Sequence, residues 1–283
     1  MVFGNFIFEV AVVLRNSLFI NGILTNIEAG YGLTIAEMEK LEKCDEQLMR
    51  AVLETPCTTP REMLYLELGV IVMSRRLMFY HYILHEEKDA LIYKFYKLQK
   101  SKPVRGDWCL TVQEDLETLN ISLTEDEIET CTEYSFKKIV NSAIKKEAFA
   151  YLNKLKDSHS KVKHIAYDKH QMQEYMMSPS IPADLAKFTF MSRSRMLAVG
   201  ANFKQGVDNP VCPICKVEPD TQNHLMVCED LNLNLVTTKD VPEYVDLFNS
   251  NLDDQVTVVK LLRENLKKRT KLLKKETTAI QLP

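Results

Sequence analysis

Glycine and proline are scarce, 8 and 10 among 283 residues, and tryptophan occurs once. So few turn-formers beside many Leu, Ile, Glu and Lys disfavour a turn-rich sheet protein and favour helices. A surplus of positive charge is also missing: 36 Lys and Arg stand against 39 Asp and Glu, a formal net charge of −3. A strong general nucleic-acid binder is basic overall, so any such binding here has to come from local patches. Long apolar runs are lacking too. The first, Phe6 to Leu14, contains Glu9 and is followed by Arg15. It is too short and too interrupted for a transmembrane helix, and it has no basic start of a signal peptide. An intracellular protein without a membrane segment is expected, with nucleus and cytoplasm not distinguished.

The familiar signatures of catalysis are absent from the sequence. No Gly-x-x-x-x-Gly-Lys-Ser/Thr, Gly-x-Ser-x-Gly or Gly-x-Gly-x-x-Gly occurs. The six histidines are dispersed, and His81 and His85, spaced i and i+4, enclose Tyr-Ile-Leu rather than the Glu of a zinc hydrolase. No aromatic-led Asp-Asp pair sits on a strand-like stretch; Asp253-Asp254 precedes a helical pattern and reads as its cap.

What is present centres on Cys212-Pro-Ile-Cys215 and His224-Leu-Met-Val-Cys228. Two cysteines two residues apart grip one metal ion from a tight turn, and a His and a Cys four apart share one helix face. Val217 to Asp220 reads as a turn, with Asp220, Thr221 or Asn223 as cap of the helix carrying His224. The set C-x2-C-x8-H-x3-C, three thiolates and one imidazole, is closed, so a zinc ion held there is structural rather than catalytic. Ordinary buried cysteines are the bland alternative. A redox Cys-x-x-Cys is a third, without the strand-then-helix context of such motifs. Cys44, Cys57, Cys109 and Cys131 are scattered, which suits a reducing compartment better than a disulfide framework.

The chain is long for one domain, and a mostly α architecture in four parts is expected. Residues 1–100 read as a helical bundle, 101–205 as a helical linker, 206–235 as the zinc knuckle and 236–283 as a C-terminal helical segment. Apolar residues at helical spacing mark residues 6–27. Thr34 with Glu37 forms a capping box opening a helix to about Glu54. Met63 to Ile71 and Arg75 to His85 are further helical pieces. From Gly106 to Phe136 there is no Lys or Arg, whereas Lys137 to His164 is rich in lysine. Helices are expected over Ser135 to Lys156, Asp184 to Val199 and Asp254 to about Glu276, the last one basic. Its lysines, and those of 137–164, face either solvent or phosphates. Arg193 and Arg195, two apart, cannot share one helical face, which suggests one tied to structure and one to a partner.

Several stretches resemble the region downstream of the polymerase palm in animal non-LTR retrotransposon reverse transcriptases. They are Leu14-Arg15-Asn16-Ser17-Leu18, Tyr31-Gly32-Leu33-Thr34, Leu64-Tyr65-Leu66-Glu67-Leu68-Gly69, Ser74-Arg75-Arg76-Leu77 and Arg193-Ser194-Arg195-Met196. Asn202-Phe203 and the Cys-Cys-His-Cys knuckle with Asp220-Thr221-Gln222-Asn223-His224-Leu225 continue the match over nearly the whole chain. The resemblance implies a thumb-like bundle, a linker, and a knuckle that helps hold RNA or DNA. In that family the catalytic aspartates lie upstream, in a polymerase domain with no counterpart here, so no enzymatic activity is carried over. Two departures stand out: Val70 to Met73 joins the Leu-Glu-Leu-Gly and Ser-Arg-Arg motifs by a shorter link, and Gly30 stands where an aromatic is common.

The expected function is non-catalytic binding of RNA or DNA through a zinc knuckle and basic helices. Arg75, Arg76, Arg193, Arg195, Lys267, Lys268 and Arg269 are the candidate phosphate contacts. The alternatives are a helical protein-interaction module stapled by zinc, using the acidic stretch 114–133, and a decayed fragment without activity.

Overall fold

A computed structural model describes residues 6–22, 35–72, 98, 101–102, 110, 114, 117–122, 133–202, 210–231 and 251–280. Among the described residues the chain is mostly helical, as its composition implies, and the β features are two isolated antiparallel bridges, Leu68 to Met172 and Val211 to Pro219. The helices are α1 (Phe6–Leu14), continued by a π-helical turn (Arg15–Ile20), α2 (Ile35–Leu53), α3 (Arg61–Leu68) and α4 (Glu133–Ser158). After these come α5 (Glu174–Met177), α6 (Ala183–Arg193), a 3-10 turn (Gly200–Asn202), α7 (Gln222–Val227) and α8 (Leu252–Ile280). None of them is long and apolar enough to cross a membrane.

α3 is the hub. Every side chain from Glu62 to Leu68 is buried, the two glutamates included. It packs against α2 and α4, while α5 meets α1, α6 and α8. One apolar cluster runs through Met49, Leu53, Leu64, Leu152, Phe190, Cys212, Leu225 and Leu262. Residues from all four stretches distinguished by composition therefore contribute to the same core. α3 ends at Gly69, whose φ of +61° is left-handed, and a Cβ there would lie 2.2 Å from the backbone of Gln171 and Met172. The α3 exit and the strap ahead of α5 thus touch backbone to backbone, which only a glycine permits.

Two buried ion pairs hold this hub. Glu67 accepts from Arg193 Nε (2.7 Å), from the Tyr175 hydroxyl (2.7 Å) and from the Tyr167 hydroxyl. Its charge and burial push both tyrosines well above their ordinary range, with desolvation the larger cause. Arg15 donates from Nε to Asp45 (2.6 Å) and from Nη2 to the Ile71 carbonyl (3.0 Å), and the Tyr65 hydroxyl also reaches Asp45 (3.3 Å). Arg15, Tyr65, Glu67 and Arg193 are thus committed to the core.

The structure refines the expected boundaries. The helix from Asp184 stops at Arg193 rather than running to Val199. There the Ser194 hydroxyl bonds back to the Phe190 carbonyl (2.7 Å) and Arg195 takes a left-handed φ of +57°. α8 begins at Leu252, and its cap is Asn251, whose Oδ1 accepts from the Asp254 amide (3.0 Å). Asp253 and Asp254 occupy the first turn, where they suit the helix dipole instead of capping it. The expected helix over Arg75 to His85, with His81, His85 and Gly30, lies outside the described residues.

Candidate metal centre

Residues 210–231 fold as a small unit around the four expected ligands. The first pair sits on a turn closed by the Cys212 amide to the Glu218 carbonyl (2.7 Å) and the Lys216 amide to the Cys212 carbonyl (2.9 Å). Lys216 carries a left-handed φ of +60° to turn the chain back after Cys215. The second pair rides on α7. Thr221, one of the three cap candidates, is the N-cap, its hydroxyl accepting from the His224 amide (3.0 Å). Cys228 closes the other end, its amide bonded to the His224 carbonyl (2.8 Å).

Sγ of Cys212, Cys215 and Cys228 and a ring nitrogen of His224 lie within 4.8 Å of one another. Cys215 Sγ is 3.3 Å from His224 Nε2. Tetrahedral coordination at metal–sulfur distances near 2.3 Å separates ligand atoms by about 3.8 Å, so the donors are gathered at the size a metal ion requires. The thiols of Cys215 and Cys228 sit in different surroundings. Backbone amides at Glu218 and Val217 hold the Cys215 thiol below its ordinary range, whereas burial, then the nearby Cys212, push Cys228 up to about 12. Packing thiols this closely is unfavourable for an empty cluster of thiolates and favourable for one around a cation. The residues fit a metal ion.

The knuckle is keyed to the rest of the fold by residues whose role the sequence pattern did not reveal. Asp220 Oδ2 accepts from the Gly200 amide (2.6 Å) and from Arg269 Nη2 (2.7 Å). Gln222, fully buried, donates to the Ser192 carbonyl (3.0 Å) and accepts from Asn202 Nδ2 (2.7 Å). Asp220 was legible as a turn residue and a cap candidate, Gln222 and Asn202 by no local pattern. No partner for them was readable along the chain.

Of the expected phosphate contacts, two have to be corrected. Arg193 is 2 % exposed and paired with Glu67, and Arg269 is 8 % exposed and paired with Asp220. A guanidinium committed to a buried carboxylate has no surface from which to meet phosphate. Arg195 is half-buried on the turn after α6, Lys267 and Lys268 are exposed, and Arg75 and Arg76 lie outside the described residues. The exposed cations of α8 that do line up are Lys260, Lys267, Lys271 and Lys274. At 100° per residue they fall within a sector of about 60°, opposite buried Leu262, Asn265 and Arg269, and they span about 21 Å along the axis. Glu264 interrupts the stripe.

No family model, curated protein or solved structure matches the chain. The geometry of the knuckle and of α8 therefore stands as the ground for a functional reading.

Proposed function

We propose that this chain is a non-catalytic nucleic-acid-binding segment of the retrotransposon reverse-transcriptase type. It contacts RNA or DNA phosphates through α8 and, if the gene product is longer, acts beside an upstream polymerase domain. The observation that carries the reading is the lysine stripe of α8 backed directly onto the knuckle. Evenly spaced lysines on one face give sequence-independent, salt-sensitive attraction to a polyphosphate backbone. Zinc is the metal that best suits three cysteines and one histidine, and Cys212, Cys215, His224 and Cys228 would hold it. Bound there, it supplies cross-linking of the knuckle and no chemistry on a substrate.

Charge reversal at Lys260, Lys267 and Lys271 tests this reading. The variant is expected to bind structured RNA more weakly and to show a shallower dependence of affinity on salt, by roughly one unit of slope per lost phosphate contact. Unchanged affinity and slope reject it.

The overall charge of −3 and an exposed apolar row on α1 and the π-helical turn after it favour a second reading, a protein-interaction module. In that row Ile7 and Leu14 are each 50 % exposed and Leu18 is 69 % exposed. Passage through a heparin column at moderate salt without retention supports that module and opposes nucleic-acid binding.

A further inference from the structure

We propose that metal loading gates the polyanion-binding face: the occupied knuckle seats α8, and its loss releases the lysine stripe from its fixed position. This rests on the reading of α8 as a phosphate-contacting helix and adds regulation to it.

α7 has six residues. A helix that short is not stable by itself and exists only where its ends are held. Here a metal ligand, His224, lies on the helix, and another, Cys228, is its C-cap. α8 rests on α6, where Arg263 pairs with Asp184, on α5, and on α7 and its flanks, which hold its C-terminal half. Asn265 Nδ2 donates to the Leu225 carbonyl (2.9 Å), Lys268 Nζ to the Leu231 carbonyl (3.5 Å), and Arg269 Nη2 to Asp220 (2.7 Å). Leu225 and Met226 join Val259 and Leu262 in the core. The links from Asn265, Lys268 and Arg269 each reach a residue of the knuckle. On α8 they cluster within about one turn, directly behind Lys267 and Lys271.

The seat is not self-sufficient. Asn265 Oδ1 and Arg269 Nη1 are buried in it without a protein hydrogen-bond partner. A partly satisfied polar interface holds only while its neighbours are kept in register. The exposed face of α8 works against it as well, because Lys267 and Lys271 are like charges at i and i+4. Removing the metal therefore frees α7, and α8 keeps its contacts with α6 and α5 but loses those that fix the turn carrying Lys267 and Lys271. Arg269 is a positioning residue in this scheme: it touches no phosphate and couples the knuckle to the stripe.

The test uses the full chain, loaded with zinc or treated with a zinc chelator. It reads amide hydrogen exchange along α8, bound zinc, and affinity for a duplex oligonucleotide. Chelation is expected to raise exchange across residues 260–274 and to weaken binding about tenfold or more. Arg269→Met is expected to weaken binding with bound zinc unchanged. Equal exchange and equal affinity with and without zinc, in a chain whose circular dichroism is also unchanged, overturn the gating. If chelation unfolds the whole chain, Arg269→Met decides: full affinity at full zinc content overturns the proposal. The underlying reading fails separately. Lys260→Glu/Lys267→Glu/Lys271→Glu that binds the duplex as tightly as the parent, at unchanged exchange, removes the phosphate face while leaving the seat intact.

Discussion

Glu67 and Arg193 stand 126 residues apart in the chain, yet their side chains meet at 2.7 Å with 0 % and 2 % of their surface exposed. The Arg193 guanidinium also lies 5.8 Å from the ring centres of Tyr167 and Tyr175, so the cation is enclosed by one carboxylate and two aromatic faces. Removing one partner of such a pair strands the other charge. Glu67→Gln is expected to destabilise the fold by about 3–5 kcal/mol in urea denaturation, and adding Arg193→Met to recover part of that loss. Sequence patterning places arginine outside by default, and a pairing across the whole chain leaves no local trace. Arg193 and Arg269 were misplaced for that reason. The suggestion that one of Arg193 and Arg195 is tied to structure does describe Arg193.

His164 makes a second residue-scale prediction. Burial, and then the charges of Arg195, Lys156 and Arg193, lower its pKa from 6.5 to about 4, and its Nε2 is buried without a partner. The folded chain thus resists protonation that the unfolded chain accepts. Stability from this group is present above pH 6.5 and is lost as pH falls from there towards 4. His164→Gln is expected to flatten the pH dependence of the melting temperature in that window.

At the scale of elements, the helices over Thr34 to Glu54, Ser135 to Lys156 and Asp254 to Glu276 were legible from apolar spacing. The structure places them at Ile35–Leu53, Glu133–Ser158 and Leu252–Ile280. The π-helical turn at Arg15–Ile20 was not, since periodicity does not register a widened turn. The four ligands were readable because they lie in one short stretch, where spacing alone decides whether they converge. α7 depends on its cap: Thr221→Ala is expected to cost about 1 kcal/mol of local stability and to weaken metal binding in a competition titration, while Thr221→Ser retains both. Gly69→Ala forces a Cβ into the Gln171–Met172 backbone at a left-handed φ. It is expected to destabilise by more than the roughly 1–2 kcal/mol of the backbone conformation alone, read as a shifted urea midpoint.

For the whole molecule, composition anticipated a helical fold, but the sharing of one core by residues as distant as Met49 and Leu262 depends on tertiary packing that no local pattern encodes. The same holds for the join between knuckle and C-terminal helix, where Asp220, Asn265 and Arg269 meet. That join is the centre of the functional account, because it places the cluster of four candidate metal ligands behind a row of lysines in a chain of net negative charge. The most direct measurement is a fluorescence titration of the zinc-loaded chain against a structured RNA at two salt concentrations. The account predicts micromolar or tighter binding that weakens steeply as salt rises. Negligible binding at both concentrations, in a folded sample that contains zinc, would contradict it.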